Sequence, residues 1–505
     1  MQNLLTASQM HDADFYTIQH QKISSTNLME NAARAFVKVF LKEVLDKKLK
    51  ISIFCGQGNN GGDGLAIARL LAKENYKNLT VYLINFSDKY SDDYTHNLKK
   101  LQQTKIPIIA ITKLDELKNV THNVIIDAVL GSGLNKPLQG NYLGLAHLMN
   151  NLNAKIIAVD VPTGFNTECE IQTDYNGVKA DLVICFQLPK INFFFPESAK
   201  ALARFKVVKI GLDEGFIAKQ TSFWKLTTKN DIKTIIKPRA NFTHKGTYGH
   251  ALIVAGNENT MGAALLAASA CLHSGTGLTT VCLPQSGLIA LNTSLPEVMA
   301  LPRHENLDVK TFEKFSVIAI GPGLGVEPEN ENLLKKLTNL QKSMVIDADG
   351  LTILSNNKDL LSKLPANTIL TPHLKEFDRL FGEHENWWQR IETAREKAQK
   401  LSIIIILKNQ YTFICLPNGD IFINPTGNPA MASGGMGDVL TGTLTSVLAQ
   451  SYTAKEAAIL GVYLHGKAGD DLAKKRFAVT ASQVALQIPK TMKKFVTTDK
   501  KNYHR

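Results

Sequence analysis

Residues 56–71 read GQGNNGGDGLAIARLL and follow the apolar run ISIFC at 51–55. A short β-branched and aromatic run bounded by glycine predicts a buried strand, and LAIARLL carries apolar side chains at helical spacing. The glycines between them let the chain turn tightly and bring backbone close to a ligand. The first N–H groups of the following helix then point at an anion. The loop is not a P-loop, because no Gly-Lys-Ser/Thr closes it. With Asn59, Asn60 and Asp63 in place it is not the usual dinucleotide fingerprint either. An aspartate beside a phosphate is repulsive unless a cation compensates it or it caps the helix, and both readings stay open.

Working outward, short apolar runs alternate with longer amphipathic stretches: TVYLIN, NVIIDAVLG, KIIAVDVPTG and DLVICF. Near-continuous Val/Ile content with helical spacers predicts a parallel sheet covered on both faces. A helix is expected over residues 26–46, behind Ser and Thr capping candidates. Ligands bind such sheets at the carboxyl ends of the strands. There VIIDAVLGSGLNKP places Asp127 before a glycine turn, and IIAVDVPTG places Asp160 three residues before Thr163. Neighbouring strands would bring Asn60, Asp127 and Thr163 into one crevice. An amide oxygen, a carboxylate and a hydroxyl form an all-oxygen set that suits a hard cation and argues against zinc. Asp160 is then left for acid–base work or for binding a hydroxyl.

The rhythm closes near FKVVKIGLDEG, and an irregular stretch around 216–228 separates it from a second series: HALIVAG, LTTVCLP, SVIAIGPG, SMVIDADG, NTILTP, SIIIILK, YTFICLP and IFINP. Two α/β domains are expected, at 1–220 and 226–500. In the second, SGGMGDVLTG runs from a glycine turn into an apolar helix, whose free N–H groups suit a transferring phosphoryl group. Asp438 at that helix start is placed to take a proton, with plain capping as the competing role. Gly323 follows a strand in AIGPGLG. Asp347 and Asp349 end another in VIDADGL, and His373 and Glu376 follow a third in TPHLKEF. Gly262 and Ala263 open a small-residue helix.

The totals bound the rest. At 505 residues the chain exceeds one core. The net charge of +12 is spread without a dense basic, aromatic-interleaved stretch, so no nucleic-acid partner is expected. Six scattered cysteines without a Cys-x-x-Cys pair read as small core residues in a reducing compartment. No signal peptide and no run near the roughly 20 apolar residues of a membrane span are evident. The expected location is the cytoplasm, without a membrane partner.

SSTNLMENAARA, GQGNNGGDGLAIAR, DAVLGSGL and DVPTG, over about residues 5–215, resemble the NAD(P)H-hydrate epimerase (YjeF N-terminal) domain. The resemblance implies a Rossmann-like fold and epimerisation at C6 of hydrated NADH or NADPH. It places the dinucleotide against Asn59, Asn60, Gly61, Gly62 and Asp63, and against Gly131, Ser132, Gly133, Leu134, Asn135, Lys136 and Pro137. It puts potassium at Asn60, Asp127 and Thr163, and substrate at Asp160. Ala33 and Thr163 stand where glycine and serine are usual.

HKGTYGHALIVAGN, GPGLG, DADGL, TPH and GGMGDVLTG, over about 228–490, resemble the ribokinase-like ADP/ATP-dependent NAD(P)H-hydrate dehydratase (YjeF C-terminal) domain. There the nucleotide turns the hydrate's hydroxyl into a phosphate leaving group. The resemblance implies hydrate contacts at Ala263, Gly323, His373 and Asp438, with Asp438 the proton acceptor. It implies adenine-nucleotide contacts at Lys408, Asn409, Gln410, Tyr411, Thr412 and Gly437, and Mg²⁺. Asn409, Leu374–Lys375 and Met436 depart from the family pattern, and ADP and ATP are both admitted, as are monomer and homo-oligomer. The competing expectation is a ribokinase-like kinase of a vitamin-precursor alcohol with a fused regulatory nucleotide-binding domain. It predicts a stable phosphorylated product.

Overall fold

A computed structural model describes residues 1–117, 122–134, 136–171, 174–304 and 307–496. The chain divides into two compact units. Asn3–Ser222 with Asn386–Trp388 forms one, and Met1–Gln2, Phe223–Glu385 and Gln389–Arg505 form the other. The change of unit at Ser222 lies inside the irregular stretch, whereas the two short exchanged segments have no counterpart in the sequence reading.

After β1 (Gln2–Asn3), the strands of the N-terminal unit are β2 (Ile51–Cys55), β3 (Leu79–Ile84), β4 (Ile108–Ile111), β5 (Val124–Ala128), β6 (Lys155–Val159), β7 (Leu182–Phe186) and β8 (Phe205–Val208). They form one sheet in the order β4-β3-β2-β5-β6-β7-β8, parallel throughout. Central strands β2, β5 and β7 are buried along their whole length, which is why they read as unbroken apolar runs. The order reverses between β2 and β5, and that switch point opens a crevice at their carboxyl ends. The quoted stretch sits there. Ser24 caps the helix Ser25–Glu43, whose Leu28, Ala32, Phe36 and Phe40 face the core.

The C-terminal unit adds β9 (Trp224–Leu226), β10 (His250–Val254), β11 (Leu278–Leu283), β12 (Met299–Pro302), β13 (Val317–Ile320), β14 (Ser343–Ile346), β15 (Ile369–Leu370), β16 (Ile404–Leu407), β17 (Thr412–Cys415) and β18 (Ile421–Asn424). The sheet order is β1-β9-β18-β17-β16-β15-β14-β13-β10-β11-β12. From β12 to β16 all pairings are parallel, while β17 pairs antiparallel with both β16 and β18. The order reverses between β10 and β13, so this unit has its own strand-end crevice beside Gly321–Gly325. Over the sheet, helices Met261–His273 and Met436–Ala449 pack backbone to backbone. A Cβ on Gly442 would lie 2.0 Å from the Ala267 carbonyl oxygen.

Candidate active sites

In the N-terminal unit a cavity of about 730 Å³ opens at the β2/β5 switch point. Gly58 caps the helix Asn59–Lys73 with no side-chain bond, so Asp63 lies inside the helix and does not cap it. A Cβ on Gly61 would fall 1.7 Å from the Gly56 carbonyl oxygen, so the loop closes this tightly only with glycine there. Asn59, Asn60 and Asp63 line the cavity, facing Gly131, Ser132, Gly133 and Leu134. Asp160 lines it too, in a left-handed conformation (φ 63°) that non-glycine residues rarely adopt. Its Oδ1 accepts from Lys190 Nζ at 2.9 Å and from the Phe186 N–H at 2.9 Å. Burial alone would lower the Lys190 pKa, but Asp160 and Cys185 outweigh it and raise the value. Burial, then Asp160, Asp14 and Asp93, pushes the Asp63 carboxyl well above the ordinary range. Burial also lifts Asp14, from the helix Ala7–Gln21, to about 6.

Beside this cavity Asp127 is fully buried at the end of β5. Thr163 donates to both its oxygens, from Oγ1 to Oδ1 at 2.6 Å and from its N–H to Oδ2 at 2.7 Å. No basic residue pairs with Asp127 among the described residues, and burial raises it to about 6 despite the Thr163 donors. Asn60 Nδ2 is buried with no partner, and a Cβ on Gly131 would lie 3.3 Å from Asn60 Cβ. Thr163 thus holds Asp127, and Asn60 packs against Gly131, close to Asp127 in the chain; a carboxylate, a hydroxyl and an amide oxygen are a donor set that suits a monovalent cation.

In the C-terminal unit, Gly435 (φ 86°) caps the helix Met436–Ala449, and Asp438 sits in its first turn without a capping bond. Burial and the nearby Asp347 carboxylate lift Asp438 to about 7, against the pull of Lys408. Lys408 Nζ pairs with Asp347 Oδ1 at 2.9 Å, and Thr441 Oγ1 donates to Asp347 Oδ2 at 2.9 Å. Burial opposes both charges of that pair. Their attraction wins, so Asp347 is lowered and Lys408 raised. A cavity of about 440 Å³ adjoins them, lined by Lys408, Asn409, Gln410, Thr412, Gly437 and His465, among others. A Cβ on Gly437 would be 3.4 Å from both Asp347 Oδ2 and Lys408 Nζ, so the bare backbone leaves that corner open. Gly323 (φ 55°) is held by the Thr260 hydroxyl, which donates to its carbonyl at 2.7 Å. His373 caps the helix Leu374–Phe381: its Nδ1 accepts from the Lys375 and Glu376 N–H groups, and Glu376 Oε2 accepts from the His373 N–H at 2.8 Å.

Residues 251–490 match a family profile described as NAD(P)H-hydrate dehydratase, and residues 25–192 match one described as YjeF-related protein N-terminus. A bifunctional NAD(P)H-hydrate repair enzyme of Moorella thermoacetica is 32% identical over 497 residues, covering 94% of this chain and 93% of that protein. The chain belongs to the bifunctional NAD(P)H-hydrate repair enzyme family. An Escherichia coli member is 31% identical over 451 residues, covering 88% of this chain and 85% of its own. Among solved structures, a ribokinase-like superfamily protein of Enterococcus faecalis aligns at 31% identity and TM-score 0.51, covering 55% of this chain and 99% of that one. The fold is therefore α/β in both units, with the C-terminal unit ribokinase-like.

Against the residues that family resemblance named, the structure is selective. Gly61 and Gly62 do not line the first cavity; their missing side chains make room for Gly56 and Met29. Lys136 does not line it. Pro137 borders a separate hollow of about 50 Å³, and Asn135 lies outside the described residues. Tyr411 does not line the second cavity, although its neighbours Gln410 and Thr412 do. Ala263 lies in the first turn of the helix Met261–His273. The sequence reading missed Asp14, Lys190, Thr441 and His465. Lys190 was findable, because QLPK directly follows a buried strand where strand-end loops carry chemistry. Asp14 sits mid-helix with no such signal. Among the described residues no helix is long and apolar enough to cross a membrane.

Proposed function

We propose that this chain repairs nicotinamide nucleotides. Its N-terminal unit epimerises the R and S hydrates of NADH and NADPH, and its C-terminal unit dehydrates the S epimer using ADP or ATP. The observation that carries the second step is Asp438, a half-buried carboxyl in the first turn of a glycine-started helix beside the Lys408 cavity. A nucleotide with its phosphates at that helix start would transfer a phosphoryl group to the hydrate's hydroxyl, whose proton passes to Asp438. The C6–O bond then breaks and phosphate leaves as the ring-nitrogen lone pair forms the C6=N bond of an iminium, and loss of a C5 proton to the departing phosphate or to water restores the dihydropyridine. The ion pair of Lys190 with Asp160 supports chemistry in the first cavity.

Asn60, Asp127 and Thr163 would hold K⁺, which would neutralise the Asp127 carboxylate beside a phosphorylated ligand. Mg²⁺ would arrive with the nucleotide. Six free cysteines, five of them buried, are compatible with a cytoplasmic setting. The test is a mixed hydrate plus ADP or ATP, followed by the absorbance of the reduced nicotinamide. Complete recovery is expected. Recovery that stops near half removes the epimerase, and a stable phosphorylated product points to the kinase reading.

A further inference from the structure

Epimerising a carbon that bears a hydroxyl beside a ring nitrogen sets a specific demand. The hydroxyl must leave one face and return to the other, so one group must give a proton while another takes one. Asp160 alone cannot hold both protonation states at once.

Among the described residues, six ionisable side chains line the first cavity: Asp14, Asp63, Asp93, Asp160, Lys190 and His11. Their environments differ. Asp160 is paired with Lys190 at 2.9 Å and accepts the Phe186 N–H on the same oxygen, partners that match a carboxylate. Asp93 accepts the Ser25 hydroxyl. Asp63 and Asp14 have no hydrogen-bond partner among the described residues. Asp63 feels only other carboxylates, so nothing helps it ionise. Asp14 is held toward its neutral form by burial and by Asp160, while Lys190 and His11 act to accommodate its negative charge. Of these carboxyls, Asp14 combines a proton affinity raised toward neutral pH with cationic neighbours able to support the anion once its proton is given up. A carboxyl without a hydrogen-bond partner and one held in an ion pair, both lining one cavity, are placed as an acid–base pair.

We propose that Asp14 is the second catalytic acid–base group of the epimerase cavity, working with Asp160, which Lys190 positions. The assignment rests on the epimerase reading given above. In one direction the Asp14 carboxyl protonates the C6 hydroxyl. The C6–O bond breaks, water departs, and the ring-nitrogen lone pair forms the C6=N bond of an iminium. Water re-adds on the other face, the iminium electrons return to nitrogen, and the proton lost from that water goes to Asp160. The opposite epimer runs the same steps with the two roles exchanged, and no oxidant or reductant is consumed.

The full-length chain tests this with a mixed hydrate and ADP, where the second phase of recovery reports epimerisation and the first reports dehydration. Asp14→Asn and Asp14→Ala should lower the epimerisation kcat by about 10²–10⁴-fold, with KM changed by no more than about threefold and the first phase intact. Added formate should restore a measurable part of the rate in Asp14→Ala, which a purely structural role would not allow. Asp14→Glu should retain more activity than Asp14→Asn. Epimerisation by Asp14→Asn within about threefold of the unaltered chain overturns the assignment. So does a loss carried in KM, or one that neither formate nor Asp14→Glu relieves. If Asp14→Asn does not fold, Asp14→Ala with and without formate gives the same decision. An unaltered chain that leaves half the hydrate unrepaired overturns the epimerase reading itself, which is a different result.

Discussion

Asp438 carries two opposing demands in one side chain. Burial and Asp347 lift its carboxyl from 3.8 to about 7, so its ionised form, the one that accepts a proton, is costly to the fold. Dehydration by this chain should therefore rise with pH through about 7, measured as kcat under saturating ADP. The stability sign is opposite. Between the unfolded and folded values the native state binds more protons, so stability falls as pH climbs from about 4 to 7. Asp438→Asn removes that cost. We expect it to lose dehydration by about 10²–10⁴-fold and to raise the ADP-shifted melting transition at pH 8. The gain, on the order of 2 kcal/mol, corresponds to about 4–8 °C and should vanish near pH 4. Calorimetry at the two pH values checks it. Asp127 poses a related problem with a different remedy. Among the described residues its charge has no basic partner, so K⁺ should raise the melting temperature of the unaltered chain more than tetramethylammonium does, and Asp127→Ala should abolish the difference.

At the scale of elements, both sites hang on a helix start that follows a strand, and glycine sets how closely each helix approaches its neighbours. Gly442 is the sharper case. Its missing Cβ leaves room for the Ala267 carbonyl, and so locks the helix bearing Asp438 against the helix bearing Ala263. Gly442→Val would force those helices apart. We expect dehydration to fall at least tenfold with Asp438 unaltered, and the ADP-dependent melting transition to drop by several degrees. The cost is that of overpacking, about 1–3 kcal/mol or more. A thermal melt with and without ADP, beside the rate, measures both. The same elements show what a sequence reveals. The buried strands were legible because parallel strands covered on both faces must be apolar throughout. The glycine loops were legible because few other uses call for that composition. β1 was invisible, since two polar-edged residues carry no periodicity. The antiparallel turn-back of β17 and β18 looks like any other apolar run. His373 is read as a ligand contact because it follows a strand end; its Nδ1 caps the following helix, a role compatible with ligand contact through the rest of the half-exposed ring. Asp14 and Lys190 were missed because only tertiary burial joins a mid-helix carboxyl to a loop amine.

At the scale of the whole molecule, each unit holds its own strand-order reversal, its own cavity and its own buried carboxyls, and the residues lining each cavity come from one unit alone. Two sites built this independently should fail independently. Asp160→Ala should leave dehydration of the S epimer intact and halt recovery once that epimer is consumed. Asp438→Ala should interconvert the epimers and recover nothing. The decisive measurement mixes the two variants in one tube with a mixed hydrate and ADP. If the hydrate released from one chain is free to enter another, the mixture should reach complete recovery of the reduced nicotinamide, although neither variant does so alone. Its second phase should quicken in proportion to the added Asp438→Ala protein, because that protein alone supplies epimerisation. Recovery stalled at the level of Asp160→Ala alone would mean that the two activities must share a chain. Loss of both activities in either single variant, with its melting transitions preserved, would mean that they share a site.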